Sequence, residues 1–212
     1  DSALPIPGLA FMIGMFLNLV FGGKGVGLIN MVMLVIITVF LMGLMVGRTP
    51  EFLGKKIEAR EVSLASIAFL LHPFLILVGT ALSVALPAGL TGILNPGPHG
   101  FSEILYAVSS GAANNGSAFG GLAASQPYYE ILIGVIMIIG RFASVIAMFL
   151  LGESLLKKKS VPTTSGTMRT EGVLFGGILI GAVAVLNALT FFPVVALGPL
   201  AEHYLLLAHH LF

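Results

Sequence analysis

Four apolar stretches long enough to cross a bilayer alternate with polar windows along this chain. Leu28–Gly47 carries no charge. At about 1.5 Å per residue, such a helix spans the ~30 Å hydrocarbon core. Ser63–Leu86 is also uncharged, with His72-Pro73 in its middle, where Pro73 is expected to kink the helix or free a carbonyl. Ile131–Gly152 holds one charge, Arg141, near its centre, and Val173–Gly198 holds none but has Pro193 late in it. Ala3–Phe21 is apolar but interrupted by Pro5, Pro7, Gly8 and Gly14, which suits a tilted or interfacial segment. Gly22–Gly27 lacks the Gly-Lys-Ser/Thr ending of a phosphate loop and reads as a turn at the membrane surface. Gly43/Gly47 and Gly177/Gly181 are small-xxx-small steps of the kind that let helices approach closely.

Between the second and third spans, Gly100–Gly121 breaks the pattern. Phe101, Ile104, Leu105 and Val108 recur at helical spacing, so the spacing predicts a helix over Phe101–Ser109. Ser110-Gly111-Ala112-Ala113-Asn114-Asn115-Gly116 has only small or polar side chains and predicts an extended strand. A short helix running into such a strand is the pattern of a re-entrant pore loop, whose free carbonyls can replace the hydration shell of an ion. An ordinary extramembrane loop is the other reading of these residues. Glu103 is expected in the first turn of the helix, either favouring its dipole or concentrating cations at an outer mouth.

Composition sharpens the class. With a mean hydropathy of +1.06, 57% apolar and 9% charged residues, the chain lacks the charge to solvate the surface of a water-soluble domain. It has no cysteine, hence no disulfide or thiolate chemistry, and a net charge of +1 with no basic arm argues against nucleic acid. The chain opens at Asp1 and lacks a basic leader region, so its start is expected to be internal to a longer polypeptide.

The loops at 48–61 and 153–172 each carry four Lys or Arg, and the loop at 87–130 carries none. By the positive-inside rule the two basic loops are cytoplasmic, and the 100–121 stretch enters from outside. Arg48–Glu61 is the most charged window. Thr49 and Pro50 suit a helix start there, with Glu51–Lys55 and Lys56–Arg60 as i,i+4 neighbours. The window fits either a solvated connector or a docking helix for a partner. Arg141 is costly at mid-membrane, by about 2.5–3.5 kcal/mol, and fits either a structural pairing or an electrostatic barrier in an ion path. His72 suits a local hydrogen bond or a proton relay; His203 and His210 could share a helix face as metal ligands, with His209 between them, although no fourth ligand is evident. The expected fold is an all-α membrane protein of channel-like span–pore-loop–span modules. Residues 1–62 form the rear half of one module with its connector. Residues 63–152 form a complete module with its pore loop at 100–121. Residues 153–212 form a cytoplasmic loop and a final helix.

Several runs carry a specific resemblance. They are Phe21–Leu28, Gly43–Ile57 (GLMVGRTPEFLGKKI), Asn95–Ala107 (NPGPHGFSEILYA), Ser109–Phe119, Leu189–Pro193 and Ala196–Pro199. Together they span essentially the whole chain, which resembles the C-terminal part of the potassium-binding A subunit (KdpA) family of the Kdp potassium-transporting ATPases.

That resemblance implies four pore modules around one filter, with this chain holding the last of the spans. Ser110, Gly111, Ala112, Ala113, Asn114, Asn115 and Gly116 would be the fourth filter strand, with K+ at Asn114 and Gly116. The family often has asparagine where Ala113 stands. Arg141 would match the basic residue that restricts conduction below the filter. Arg48, Glu51, Lys55 and Lys56 would lie on the segment facing the P-type ATPase B subunit. A C subunit and a small accessory membrane subunit complete the implied complex, in a bacterial or archaeal inner membrane, with the filter and C-terminus outside. K+ would be the transported ion. No aspartyl-phosphate or nucleotide motif occurs in the chain, so it would be a non-catalytic subunit. A passive potassium channel subunit of the same superfamily and a secondary transporter are the alternatives. None of the four spans contains Asp or Glu, which counts against proton coupling.

Overall fold

The computed structural model describes residues 5–21, 27–162, 166–167 and 170–208, and of residues 18–21 the backbone only. The turn at Gly22–Gly27, Arg169, His209 and His210 lie, apart from Gly27, outside the described residues. In chain order the elements are α1 (Pro5–Phe21), α2 (Leu28–Val46), β1 (Glu51–Phe52), β2 (Lys55–Lys56), α3 (Ala59–Ala85), α4 (Pro87–Leu90), α5 (Pro98–Ala112), α6 (Pro127–Lys157) and α7 (Val173–Val195). A π-helical turn, Ala196–Leu200, then leads into α8 (Ala201–Leu207). Four helical stretches are long and apolar enough to cross a membrane: Leu28–Val46, Ala59–Ala85, Pro127–Lys157 and Val173–Leu207. The all-α, four-span architecture expected from the pattern is therefore present. Pro73 lies inside an uninterrupted α3, and Pro5 and Pro7 fall in the first turn of α1, where a missing N–H costs nothing.

The chain sorts into two compact units, one of residues 1–19, 72–142 and 187–212, the other of residues 20–71 and 143–186. In the first, Met12, Phe16, Ile76, Ile104, Leu105, Val108, Tyr129, Ile136 and Phe191 form one core. The Phe16 and Phe191 rings stack with centroids 4.0 Å apart. Helix α5 is the most enclosed part of this unit, although it carries Ser102, Glu103, Ser109 and Ser110, all buried. On the apolar helices, by contrast, large side chains such as Ile138, Phe142 and Leu189 are left open. Buried polar side chains beside exposed apolar ones are what a protein whose solvent is lipid shows. Within the same unit the chain enters α5 and leaves its following loop at one place. Leu94 N donates to Gly121 O at 2.9 Å and Ala123 N to Gly92 O at 2.8 Å, around an antiparallel bridge of Ile93 with Leu122. Residues 93–122 are thus a closed excursion from the path between α3 and α6.

In the second unit, Met33, Ile36, Val39, Ile57, Ala65, Ala68 and Leu151 form the core. Here two expectations are corrected. The Arg48–Glu61 window does not start a helix at Thr49–Pro50. Glu51 pairs with Lys56 and Phe52 with Lys55 in an antiparallel hairpin. Leu53 (φ 52°) and Gly54 (φ 69°) make the two-residue turn with both φ positive that such hairpins favour. The helix begins only at Ala59, where the Glu61 carboxylate accepts Glu58 N–H at 2.8 Å, half of a capping box. The Gly43/Gly47 step is not a helix-packing seam either. Gly47 is a left-handed C-cap donating to Gly43 O, and a Cβ on Gly43 would meet Arg48 O and the Pro50 ring at 3.0 Å. Gly177 and Gly181 have open space around their Cα atoms among the described residues.

Candidate functional site

The site is built from the two ends of α5. At its start, Pro98 occupies the first turn after Gly97, whose φ of 75° only glycine adopts freely. Glu103 lies in the second turn, not the first, and is fully buried. Its Oε1 accepts Asn95 Nδ2 at 2.7 Å and lies 3.7 Å from His99 Nε2, while His99 Nδ1 stands 2.5 Å from Glu202 Oε1 on α8. Gly121 packs against the Glu103 carboxylate so closely that no side chain fits there. An outer-mouth role for Glu103 is therefore corrected: enclosed by these groups, it anchors the excursion and cannot face incoming cations.

At the other end, the helix runs three residues past Ser109, so Ser110, Gly111 and Ala112 are helical rather than extended. Their small side chains resemble a strand, but their carbonyls are occupied in ending the helix. Gly111 O accepts Asn114 N at 2.9 Å, Ser110 O accepts Asn115 N at 2.9 Å, and Ala112 O accepts Asn114 Nδ2 at 3.3 Å. Ala113 follows as the C-cap, and the chain then turns through Asn114 (φ 61°) and Gly116 (φ 77°). Asparagine tolerates the left-handed region better than most residues, and here its amide also reaches Met137 O at 3.4 Å. The Asn115 amide donates to Met15 Sδ at 3.2 Å. Among the described residues, the carbonyl oxygens of Ala113, Asn114, Asn115 and Gly116 accept no hydrogen bond. They sit beside the C-terminal end of a buried helix, where the peptide dipoles sum to partial negative charge. Unclaimed carbonyls next to a negative dipole end can hold a weakly hydrated monovalent cation.

Of the other predicted residues, Arg141 is exposed and follows Gly140, whose bare Cα lets Ala112 O approach: a Cβ there would lie 2.9 Å from that oxygen. The four connector residues divide. Arg48 and Lys56 are exposed, Lys56 Nζ lying 3.6 Å from Glu58 Oε1. Glu51 is buried and accepts Thr167 Oγ1 at 3.2 Å, and Lys55 Nζ donates to Lys158 O at 2.5 Å. Lys158 is the centre of this cluster, donating to Glu61 Oε2 at 2.5 Å and lying 2.9 Å from Glu58 Oε2, while Ser154 Oγ donates to Glu61. Burial alone would push the Lys158 ammonium down, but its hydrogen bonds to Glu61 and Glu58 outweigh that and hold it above its ordinary range. Among the described residues no cluster of His, Asp and Glu has the form of a metal site. His203 packs against Tyr204 with ring centroids 6.0 Å apart.

Sequence reading missed Ser117, Tyr106, Gly140, Glu202 and the Lys158–Glu61 pair. Only Gly140 left a signal, a bare residue beside the lone charge of a span otherwise rich in bulky side chains. The rest are tertiary pairings that no local pattern announces.

Residues 1–204 match a family model described as the potassium-transporting ATPase A subunit, KdpA. Among curated relatives, the chain is 53% identical over 202 residues to a protein of Alicyclobacillus acidocaldarius named potassium-transporting ATPase potassium-binding subunit, a match covering 95% of this chain and 36% of that protein. Proteins of the same name in Sorangium cellulosum and Brucella anthropi are 54% and 50% identical, over 96% and 100% of this chain and 35% and 38% of theirs. The chain thus spans little more than a third of the length of these relatives.

Proposed function

The chain belongs to the potassium-transporting ATPase A subunit family, and from that premise we propose that it forms part of a non-catalytic, potassium-binding and translocating subunit of an ATP-driven uptake pump. The segment Ser110–Gly116 is its contribution to the ion filter. Within it, Ser110, Gly111 and Ala112 are the scaffold, and Ala113, Asn114, Asn115 and Gly116 supply the carbonyls, with K+ lying at Asn114 and Gly116. The excursion 93–122 re-enters the membrane from the outer side of the cell membrane. Arg141 is a fixed positive charge that stops the ion from continuing straight inward. The ion leaves instead toward a P-type ATPase B subunit, which hydrolyses ATP, with a C subunit and a small accessory subunit in the same complex. Arg48 and Lys56 offer that partner exposed charge, while Glu51 and Lys55 hold the hairpin that presents it.

The observation that carries this reading is the run of unclaimed carbonyls from Ala113 to Gly116 at the end of a buried helix. The paired entry and exit of the excursion support re-entry, because a chain that leaves where it enters has not crossed. The test is Gly116→Ala in the complete subunit, assembled with its ATPase partners. A Cβ at Gly116 meets nothing within 4 Å, so the substitution strains only the backbone, at φ 77°. That strain is worth about 1–2 kcal/mol, so the potassium concentration for half-maximal ATP hydrolysis should rise about tenfold. Unchanged half-saturation and unchanged preference among alkali cations in assembled complex would show that the turn is only a loop.

A further inference from the structure

Three successive backbone N–H groups converge on one residue behind this turn. Asn115 N and Gly116 N donate to Ser110 O at 2.9 and 3.4 Å, and Ser117 N donates to the Ser110 hydroxyl at 2.7 Å. The two serine hydroxyls lie 2.9 Å apart, and the Ser117 hydroxyl donates to Tyr106 Oη at 3.2 Å. With the Ser117 proton committed to Tyr106, the Ser110 hydroxyl must donate to Ser117 Oγ while accepting from Ser117 N. The hydroxyls then form one directed chain whose members polarise each other. Tyr106 and Ser110 are four apart on one face of α5. The Tyr106 ring stacks on Phe119, with centroids 4.1 Å apart and planes 11° from parallel. Ser110 is fully buried, so neither its carbonyl nor its hydroxyl is replaced by water when a partner is lost.

We infer that Ser110, backed by Ser117 and Tyr106, is the brace that sets the spacing of the Asn114–Gly116 carbonyls and so governs discrimination among monovalent cations by size. It is a positioning residue and not an ion ligand. The inference rests on the reading of that turn as a potassium site. Its physical basis is that carbonyls free to shift adapt to a smaller or larger ion, whereas carbonyls on a fixed frame do not. The N–H groups of residues 115–117 share their peptide planes with the Asn114, Asn115 and Gly116 carbonyls, and all three are fastened to Ser110, whereas the Ala113 carbonyl's plane is held through Asn114 N on Gly111 O.

The experiment measures ATP hydrolysis stimulated by potassium and by rubidium in the assembled complex carrying Ser110→Ala, Ser117→Ala or both in the complete subunit. Ser110→Ala leaves the Ser117 N–H without its acceptor. It should raise the half-saturating potassium concentration about tenfold and narrow the gap between potassium and rubidium. The maximal rate should stay within about twofold, because the carbonyls remain present. Ser117→Ala keeps its own N–H bond and should cost about threefold. The double variant should be no worse than Ser110→Ala, since the two hydroxyls act as one unit. If Ser110→Ala leaves affinity and ion preference unchanged while Gly116→Ala shifts them, the site stands and the brace is wrong. If neither substitution shifts them, the potassium site itself is misplaced and the brace falls with it. A loss confined to maximal rate also overturns the brace. Should Ser110→Ala fail to assemble, Ser117→Ala at its exposed position and Tyr106→Phe decide the matter, and unchanged ion preference in both overturns the proposal.

Discussion

Gly140 and Ala112 meet through bare backbone at the C-terminal end of α5. The Ala112 carbonyl also receives the Asn114 amide, so pushing it aside disturbs the first left-handed residue of the turn. Gly140→Ala places a Cβ 2.9 Å from that oxygen, closer than side-chain carbons sit in real structures. The neighbour is backbone and yields less readily than a flexible side chain. The substitution should cost about 1–2 kcal/mol of stability and raise the half-saturating potassium concentration several-fold, about as overpacking usually does. Gly134→Ala on the same helix meets nothing within 4 Å and serves as the reference. If the two variants show the same potassium dependence in assembled complex, the close approach has no bearing on the site. Only the smallness of Gly140 was legible in the sequence; the oxygen it accommodates comes from a residue 28 positions earlier (140 − 112) and shares no local pattern with it.

At the scale of elements, long uncharged stretches were readable because one term, the transfer of apolar side chains, decides them, and α2, α3, α6 and α7 fall where hydropathy puts them. Ends and connectors were not, because there several weak terms compete. Ser110–Ala112 have strand-like composition, yet the helix gains by keeping their carbonyls bonded. Thr49–Pro50 look like a helix start, yet Leu53-Gly54 make a hairpin turn that holds Glu51 opposite Lys56. That hairpin is secured by Lys158, which answers the buried Glu61 carboxylate and also reaches Lys56 O at 2.9 Å. Lys158→Met should lower subunit stability by roughly 2–3 kcal/mol at neutral pH, because it leaves a buried carboxylate without its cation. The pH dependence has a definite sign. Lys158 is raised above its ordinary 10.5, so its contribution is complete below that value and is lost as pH climbs through the higher folded value. Thermal unfolding of the purified complex should therefore separate the two proteins at neutral pH and bring them together in strong alkali. A constant difference across that range would mean that packing of the lysine stem, not its charge, holds the hairpin.

Over the whole molecule, the spanning helices leave many large apolar side chains exposed, as helices facing lipid do, so an exposed charge in the middle of one of them stands out. Arg141 is exposed among exposed Ile138, Ile139 and Phe142. A guanidinium facing hydrocarbon would cost at least about 2.5–3.5 kcal/mol. It must therefore face either further protein or a wet path. A barrier role uses the second case. Carbonyls at 113–116 attract a cation without neutralising it, so an ion held there would pass on down any open route. A fixed positive charge in a low-dielectric surround opposes that step far more strongly than it would in water. Arg141→Ala should then permit passive rubidium entry into vesicles carrying the assembled complex in the absence of ATP, at least about tenfold above the parent for the loss of ~1.4 kcal/mol of barrier. Arg141→Lys keeps the charge and should stay tight. Potassium affinity should change little in either, since neither supplies a carbonyl. If Arg141→Ala is as tight as the parent, the arginine is there to pair with another protein surface, and the block on straight conduction has to come from steric closure instead.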